Sequence, residues 1–192
     1  MKYAIQTNAW GNVVGHPAGV TSIKDLFYTS GGLTDQILDD IQEAGFTGIE
    51  LFDGDLTPFQ DDLSSLQARL EDRGLELVGV YSGANFIFPD VLDEELWRIR
   101  TAARLAAKAG AEHLVLGGGA VRSTGPTDED YVRLAEGLDR AADIVEEHGL
   151  TATFHPHLGT IVESPEQLER VMTRTRIGFC PDMAHIAAGG GD

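Results

Sequence analysis

Apolar residues along this chain fall into short continuous runs that alternate with longer stretches of helical periodicity. The runs begin near Tyr3, Thr47, Leu75, Glu112, Leu150 and Ile177. Gly48-Ile49-Glu50-Leu51-Phe52, Leu77-Val78-Gly79-Val80-Tyr81 and His113-Leu114-Val115-Leu116 lack the alternation of a half-exposed strand. Strands covered on both faces read this way, and they belong to parallel sheets. Between them, Ile37, Leu38 and Ile41 form a core-facing stripe over Leu33–Ala44, with Thr34 as its N-cap. Leu63, Leu66 and Leu70 mark a second helix, and Leu96, Ile99, Ala103 and Ala106 a third. Thr127-Asp128-Glu129-Asp130 opens a fourth with capping-box spacing and acidic residues at the positive end of the helix dipole. Ser164-Pro165-Glu166-Gln167 opens a fifth, serine at the cap and proline at the first helical position. Gly45, Gly74, Gly110 and Gly149 follow helix ends, where glycine supplies the left-handed residue that closes the last turn.

Six strands and five helices in strict alternation, spaced by roughly 27–38 residues, are consecutive βα units. A doubly wound open sheet and a barrel both satisfy this. The first βα turn lacks G-x-G-x-x-G, which weakens the dinucleotide-binding version of the open sheet. Gly117-Gly118-Gly119 after the fourth strand reads either as a phosphate or substrate loop or as a tight turn with close backbone approach. Asn8–Gly32 is a long first loop, which in a barrel would lie over the mouth of the site. The chain of 192 residues reads as a single domain, 1–192. A complete (β/α)₈ barrel needs about 250 residues, so the expectation is a barrel of which about six units are present. The remainder would lie in a longer chain or come from another subunit, as a homo-oligomer or by completion of the barrel by another chain.

Composition narrows the function classes. Asp and Glu number 31 against 14 Lys and Arg, a formal net charge of −17. That field repels phosphate backbones and anionic headgroups, which disfavours nucleic-acid and membrane partners. Cys180 is the single cysteine, so no intrachain disulfide forms and a reducing compartment fits. No signal-like N-terminus and no apolar run of membrane-spanning length is present, and the expectation is a cytoplasmic protein.

Candidate chemistry sits where strands end, the side on which such a barrel carries its active site. Glu50 ends the second run, His155-Pro156-His157 the fifth with Glu163 soon after, and Asp182 and His185 follow the sixth. The two imidazoles of H-x-H point to the same side of an extended strand. Asp182 followed by His185 also has the spacing of a helix cap. Together these imidazoles and carboxylates are a donor set for Mn²⁺, Zn²⁺, Co²⁺ or Fe²⁺. His16 and His113 read as ordinary loop and strand residues. Trp10 and Phe86, on loops after strands one and three, are candidates to wall a sugar site or to pack as core and lid.

Gly48-Ile49-Glu50-Leu51, Phe154-His155-Pro156-His157-Leu158-Gly159-Thr160-Ile161-Val162-Glu163 and Pro181-Asp182-Met183-Ala184-His185 resemble the xylose-isomerase-like TIM barrel superfamily. That superfamily holds sugar-phosphate isomerases and epimerases, inosose dehydratases and endonuclease IV. The resemblance implies a divalent metal with Asp182 as the strand-six ligand and His185 beside the metal or on substrate. His155 stands at the strand-five ligand position where many relatives have Glu, a departure that resembles the inosose-dehydratase-like branch. The resulting expectation is metal ligation by His155 and Asp182, proton transfer by Glu163, His157 or His185, and substrate contact by Glu50, Trp10 and Phe86. The leading reaction is isomerisation or epimerisation of a sugar or sugar phosphate, a small-molecule carbohydrate. Its alternatives are an inosose-dehydratase-like lyase or C-glycoside-cleaving relative and a noncatalytic, partner-dependent subunit. The net charge argues against endonuclease IV-like DNA repair.

Overall fold

The computed structural model describes residues 2–10, 27–30 and 33–191. Strands β1 (Ala4–Gln6), β2 (Gly48–Phe52), β3 (Glu76–Ala84), β4 (His113–Gly118), β5 (Thr151–Phe154) and β6 (Gly178–Phe179) form one sheet. Each begins one residue after the start of its apolar run. The strands lie in sequential order, and every neighbouring pair is parallel. A doubly wound sheet reverses its strand order at a switch point, whereas an unbroken order is that of a barrel wall. The fold is therefore the TIM-barrel type, with six of its eight strands among the described residues.

Helices α1 (Asp35–Glu43), α2 (Leu63–Glu71), α3 (Pro89–Ala109), α4 (Asp128–Glu147), α5 (Pro165–Met172) and α6 (Met183–Ala188) follow the strands in turn. Thr34, Thr127 and Ser164 cap α1, α4 and α5 through their side-chain oxygens, as their positions predict. The predicted stripes face inward: Leu38, Ile41, Leu66, Ile99, Ala103 and Ala106 are fully buried. They pack against the outer strand face formed by Ile49, Leu51, Val80, Leu114, Leu116 and Phe154. The helix-cap spacing of Asp182 and His185 is the one sequence sign of α6, and the sequence reading does not contain the 3₁₀ turn Asp53–Phe59 after β2. No helix among the described residues is long and apolar enough to cross a membrane.

Most of the long first loop, including His16, lies outside the described residues. Its described end, residues 27–30, is held by the turn after β2. Asp53 Oδ1 accepts from Tyr28 N at 2.7 Å, and Gly54 N donates to Tyr28 O at 2.7 Å. Asp55 accepts from the Thr29 hydroxyl at 2.9 Å and from Ser30 N and Oγ at 3.0 and 2.9 Å. Asp53 is in turn fixed by Ser82 Oγ at 2.7 Å and Arg98 Nη1 at 3.0 Å, a fully buried ion pair between the strand end and α3. Burial pushes the Asp53 carboxyl up to about 6 despite the opposing pull of Arg98. A buried pair of this kind contributes specificity of position more than net stability.

A second clamp closes the turn after β3. The buried Glu95 carboxylate accepts from Asn85 N at 2.8 Å and Phe86 N at 2.9 Å, one on each oxygen. It holds Phe86 at φ 62°, a left-handed conformation rare for a bulky residue. The Phe86 ring is thereby turned into the core against Gly137, where a Cβ would come within 3.2 Å of it.

Candidate active site

The concave face of the sheet opens at the C-terminal strand ends into a cleft of about 570 Å³. Parallel register explains much of its lining. Gln6 pairs with Glu50 and Phe52 with Tyr81, so these side chains stand on the concave face at two successive levels. Glu50 lies inside β2 rather than at its end, because the strand continues to Phe52. Burial raises the Glu50 carboxyl above the usual carboxylate range, while a 2.6 Å hydrogen bond from Gln6 Nε2 to Oε1 opposes that shift.

Beyond β5 and β6 the backbone carries three imidazoles to the same rim. His155 extends the ladder through its N–H to Leu116 O at 2.9 Å, and Cys180 N does likewise to Phe154 O at 2.9 Å. His155, His157 and His185 each bring a donor atom into a group whose members all lie within 4.8 Å of one another. The His157 and His185 ring centroids are 3.9 Å apart, and His155 stands edge-on to both at 5.7 and 5.6 Å.

Tautomers follow from the hydrogen bonds. His157 Nδ1 lies 2.8 Å from Leu158 O. A carbonyl only accepts, so Nδ1 carries a proton, and in the neutral ring Nε2 is left as the nitrogen with a lone pair. His185 Nδ1 is buried without a hydrogen-bond partner. Burial first, then the neighbouring His157, lowers the His155 pKa and favours the neutral ring. Neutral imidazoles with free lone pairs are the ligand form for a divalent transition metal, and a buried orphan nitrogen calls for such a partner. The donor set therefore fits a metal ion held by His155, His157 and His185.

This differs from the expected pairing of His155 with Asp182. Asp182 lines the same cleft but is not in the imidazole group. It is the N-cap of α6, where Oδ1 accepts from His185 N at 2.9 Å, and Oδ2 lies 3.6 Å from His185 Nε2. That backbone hydrogen bond, with the nearby imidazoles, holds its carboxyl below the ordinary range. The helix-cap spacing and the site position both belong to this residue.

Three other expected residues lie outside the lining of the main cleft. Glu163 accepts from Gly159 N at 2.9 Å, which braces the loop after β5, and it borders a small apolar side pocket that also touches His157 and His185. Trp10 sits in the turn Thr7–Trp10 and donates from Nε1 to Asp40 Oδ2 of α1 at 2.9 Å, away from the cleft lining. Phe86 is core, for the reason given above. The sequence reading also misses Tyr28, Tyr81, Asn8 and Thr160, all of which line the cleft. Alternation from Gly79 to Tyr81, on the strand beside Glu50, is the signal that could have found Tyr81.

The glycine run after β4 resolves as close backbone approach. A Cβ on Gly118 would stand 2.0 Å from Ala84 O, and one on Gly119 would stand 2.5 Å from Ile161. Both have positive φ, 111° and 92°. Only glycine fits here.

Known proteins place the chain in context. The model of the xylose isomerase-like TIM barrel matches residues 38–192. An inosose dehydratase of Geobacillus kaustophilus is 32% identical over 165 residues, covering 79% of this chain and 51% of that protein. The rhizopine catabolism protein MocC of Rhizobium meliloti is 32% identical over 174 residues, covering 82% of this chain and 51% of its own length. The chain thus spans about half the length of these relatives. Among solved structures, the probable 3-DHS dehydratase AsbF of Bacillus anthracis superposes with TM-score 0.70 at 18% identity, covering all of this chain and 66% of that one. The zinc-bound IOLI protein gives the same TM-score, identity and coverage, which shows the shared fold. On the family match and the barrel order of its six parallel strands, this chain belongs to the xylose isomerase-like TIM barrel family.

Proposed function

We propose that this chain carries the catalytic rim of a metal-dependent lyase that dehydrates a ketocyclitol of the inosose type. The observation that carries the reading is the gathering of three imidazoles at the C-terminal strand ends, in one cleft with a buried carboxyl and an ionised one. An inosose dehydratase at 32% identity supports the reaction class, and the zinc of the IOLI protein supports a metal on this fold.

A divalent ion held by His155, His157 and His185 would polarise the substrate carbonyl and acidify the adjacent C–H. The protein's own groups then divide the proton work. Environments that push two carboxyls apart in pKa mark acid and base. Glu50, raised by burial and oriented by Gln6, is suited to donate a proton to the departing β-hydroxyl, which leaves as water. Asp182, kept ionised by its backbone hydrogen bond and neighbouring imidazoles, is suited to accept the α-proton. Its place beside His185 sets that carboxylate at the edge of the cluster. Return of the proton to a neighbouring carbon would instead give the isomerisation or epimerisation of the sequence expectation. The dehydratase relatives favour loss of the hydroxyl.

The test is turnover of an inosose by the chain loaded with Mn²⁺, Co²⁺ or Zn²⁺, run beside a panel of ketoses. Glu50→Gln should retain the Gln6 contact yet lower the rate by about 100-fold or more, the usual size of a general-acid contribution. Ketose interconversion without dehydration would restore the isomerase reading. Absence of any metal-dependent turnover would refute the proposal.

A further inference from the structure

Two phenols that the proton-transfer scheme does not use line the same cleft. Tyr28 comes from the clamped end of the first loop, and Tyr81 from β3. Their rings meet edge to face, with centroids 5.5 Å apart and planes at 82°, and Tyr81 in turn stands 6.0 Å from the His155 ring. Both line the cleft, and among the described residues neither hydroxyl has a hydrogen-bond partner. They are also not among the buried orphan atoms, which are Arg98 Nε, His148 Nε2 and His185 Nδ1, so the hydroxyls open onto the cleft.

The backbone is shaped around these two groups. Gly83 and Gly117 are register partners on β3 and β4. A Cβ on Gly117 would stand 1.8 Å from the Tyr81 hydroxyl oxygen, and one on Gly83 would meet Gly117 O at 2.6 Å and lie 3.4 Å from the Tyr28 hydroxyl oxygen. The paired glycines therefore make a side-chain-free shelf with one phenol hydroxyl beside each of them. Tyr28 is held there by its own main chain, since Asp53 takes its N–H and Gly54 supplies a donor to its carbonyl. Ordering a mobile aromatic residue has an entropic cost, and the Asp53–Arg98 pair offsets it before a ligand arrives.

We infer that Tyr28 and Tyr81 form a hydroxyl-reading shelf that binds neighbouring hydroxyl groups of a polyol ring while its carbonyl faces the imidazoles. This rests on the ketocyclitol reading above and deepens it by assigning the specificity residues. A phenol both donates and accepts, and two neighbouring phenols match a pair of adjacent hydroxyls, each of which does the same. Asp53 is a positioning residue, acting only through Tyr28.

The experiment measures, by calorimetry on the metal-loaded chain, binding of an inosose and its monodeoxy analogues to wild type, Tyr28→Phe and Tyr81→Phe. Wild type should bind one or two of the analogues about 3- to 10-fold more weakly than the parent, the worth of a neutral hydrogen bond. Each phenylalanine variant should lose about the same factor for the parent and show no further loss for its matching analogue, with metal content unchanged. Gly117→Ala, which displaces the Tyr81 hydroxyl and leaves its chemistry intact, should reproduce Tyr81→Phe. Equal weakening of every ligand, or no change in either variant, while wild type still binds the inosose, would overturn the shelf and leave the lyase reading standing. No binding and no turnover of inosose by wild type would remove both.

Discussion

Glu95 offers the most direct view of how a buried carboxylate without a catalytic role shapes this molecule. Its two oxygens each accept one backbone N–H, from Asn85 and Phe86, at 2.8 and 2.9 Å, and the side chain is fully buried. Glu95→Ala leaves both donors buried and unpaired at about 1–3 kcal/mol each. It also releases the restraint on Phe86, whose left-handed backbone at φ 62° is tolerated only where surrounding structure over-determines it. Partial relaxation of the turn brings the expected cost to about 4 kcal/mol, a large share of the 5–15 kcal/mol typical of a domain. Glu95→Gln keeps one acceptor and sets an amide N–H₂ against the other donor, so about 2 kcal/mol is expected. Urea unfolding of the three proteins measures this. The same turn supports the cleft, because Ala84 O and Asn85 O accept from Gly119 N and Ala120 N at 2.9 and 3.1 Å. Amide exchange at Gly119 and Ala120 should therefore quicken in Glu95→Ala. A variant within 1 kcal/mol of wild type would refute the reasoning, as would one that falls by about 4 kcal/mol with exchange at those amides unchanged.

Two further perturbations follow from buried and capping carboxylates. Asp53 has a folded pKa of about 6 against an ordinary 3.8, so between those values the folded state binds more protons than the unfolded. Its contribution to stability is thus present at low pH and declines through that window, by on the order of 3 kcal/mol, and the difference in unfolding free energy between wild type and Asp53→Asn should slope accordingly. A difference that is flat from pH 4 to pH 7 would contradict the burial argument. At the start of α4, Thr127 Oγ1 accepts from Asp130 N while Asp130 Oδ2 accepts from Thr127 N at 3.0 Å. Thr127→Ala should cost about 1 kcal/mol in the same denaturation assay, and a neutral result would show that Arg122, which also binds Asp130, holds the turn unaided.

Much of the fold is legible in the residue pattern because local rules and tertiary packing agree. Continuous apolar runs become strands buried on their outer face, and Thr34, Thr127 and Ser164 cap the helices their positions announce. The site is legible in part. His155 and His157 stand together because an H-x-H after a parallel strand has one geometry, whereas the approach of His185 depends on how α6 folds back, which no spacing states. Asp53 and Asp55 carry no local sign of burial, yet they are fully or almost fully buried, because their partners arrive from α3 and from the first loop. Phe86 fails as a wall of the site for a similar reason. A loop aromatic carries no local sign of its direction, and here Glu95, nine residues on, turns it inward. Tyr81 is hidden in an apolar run, where alternation from Gly79 gives its face and the β2–β3 register sets it beside Phe52.

The central claim is that three imidazoles of this chain hold a divalent ion. Elemental analysis of the purified protein, after exposure to Mn²⁺, Co²⁺ or Zn²⁺ and removal of free metal, tests it most directly, with His155→Ala, His185→Ala and Asp182→Ala alongside. The account predicts about one ion per chain in wild type, loss in both histidine variants, and retention with weakened affinity in Asp182→Ala, whose carboxylate touches the cluster without joining it. No bound metal in wild type, or an ion that survives both histidine substitutions and leaves with Asp182, would contradict it.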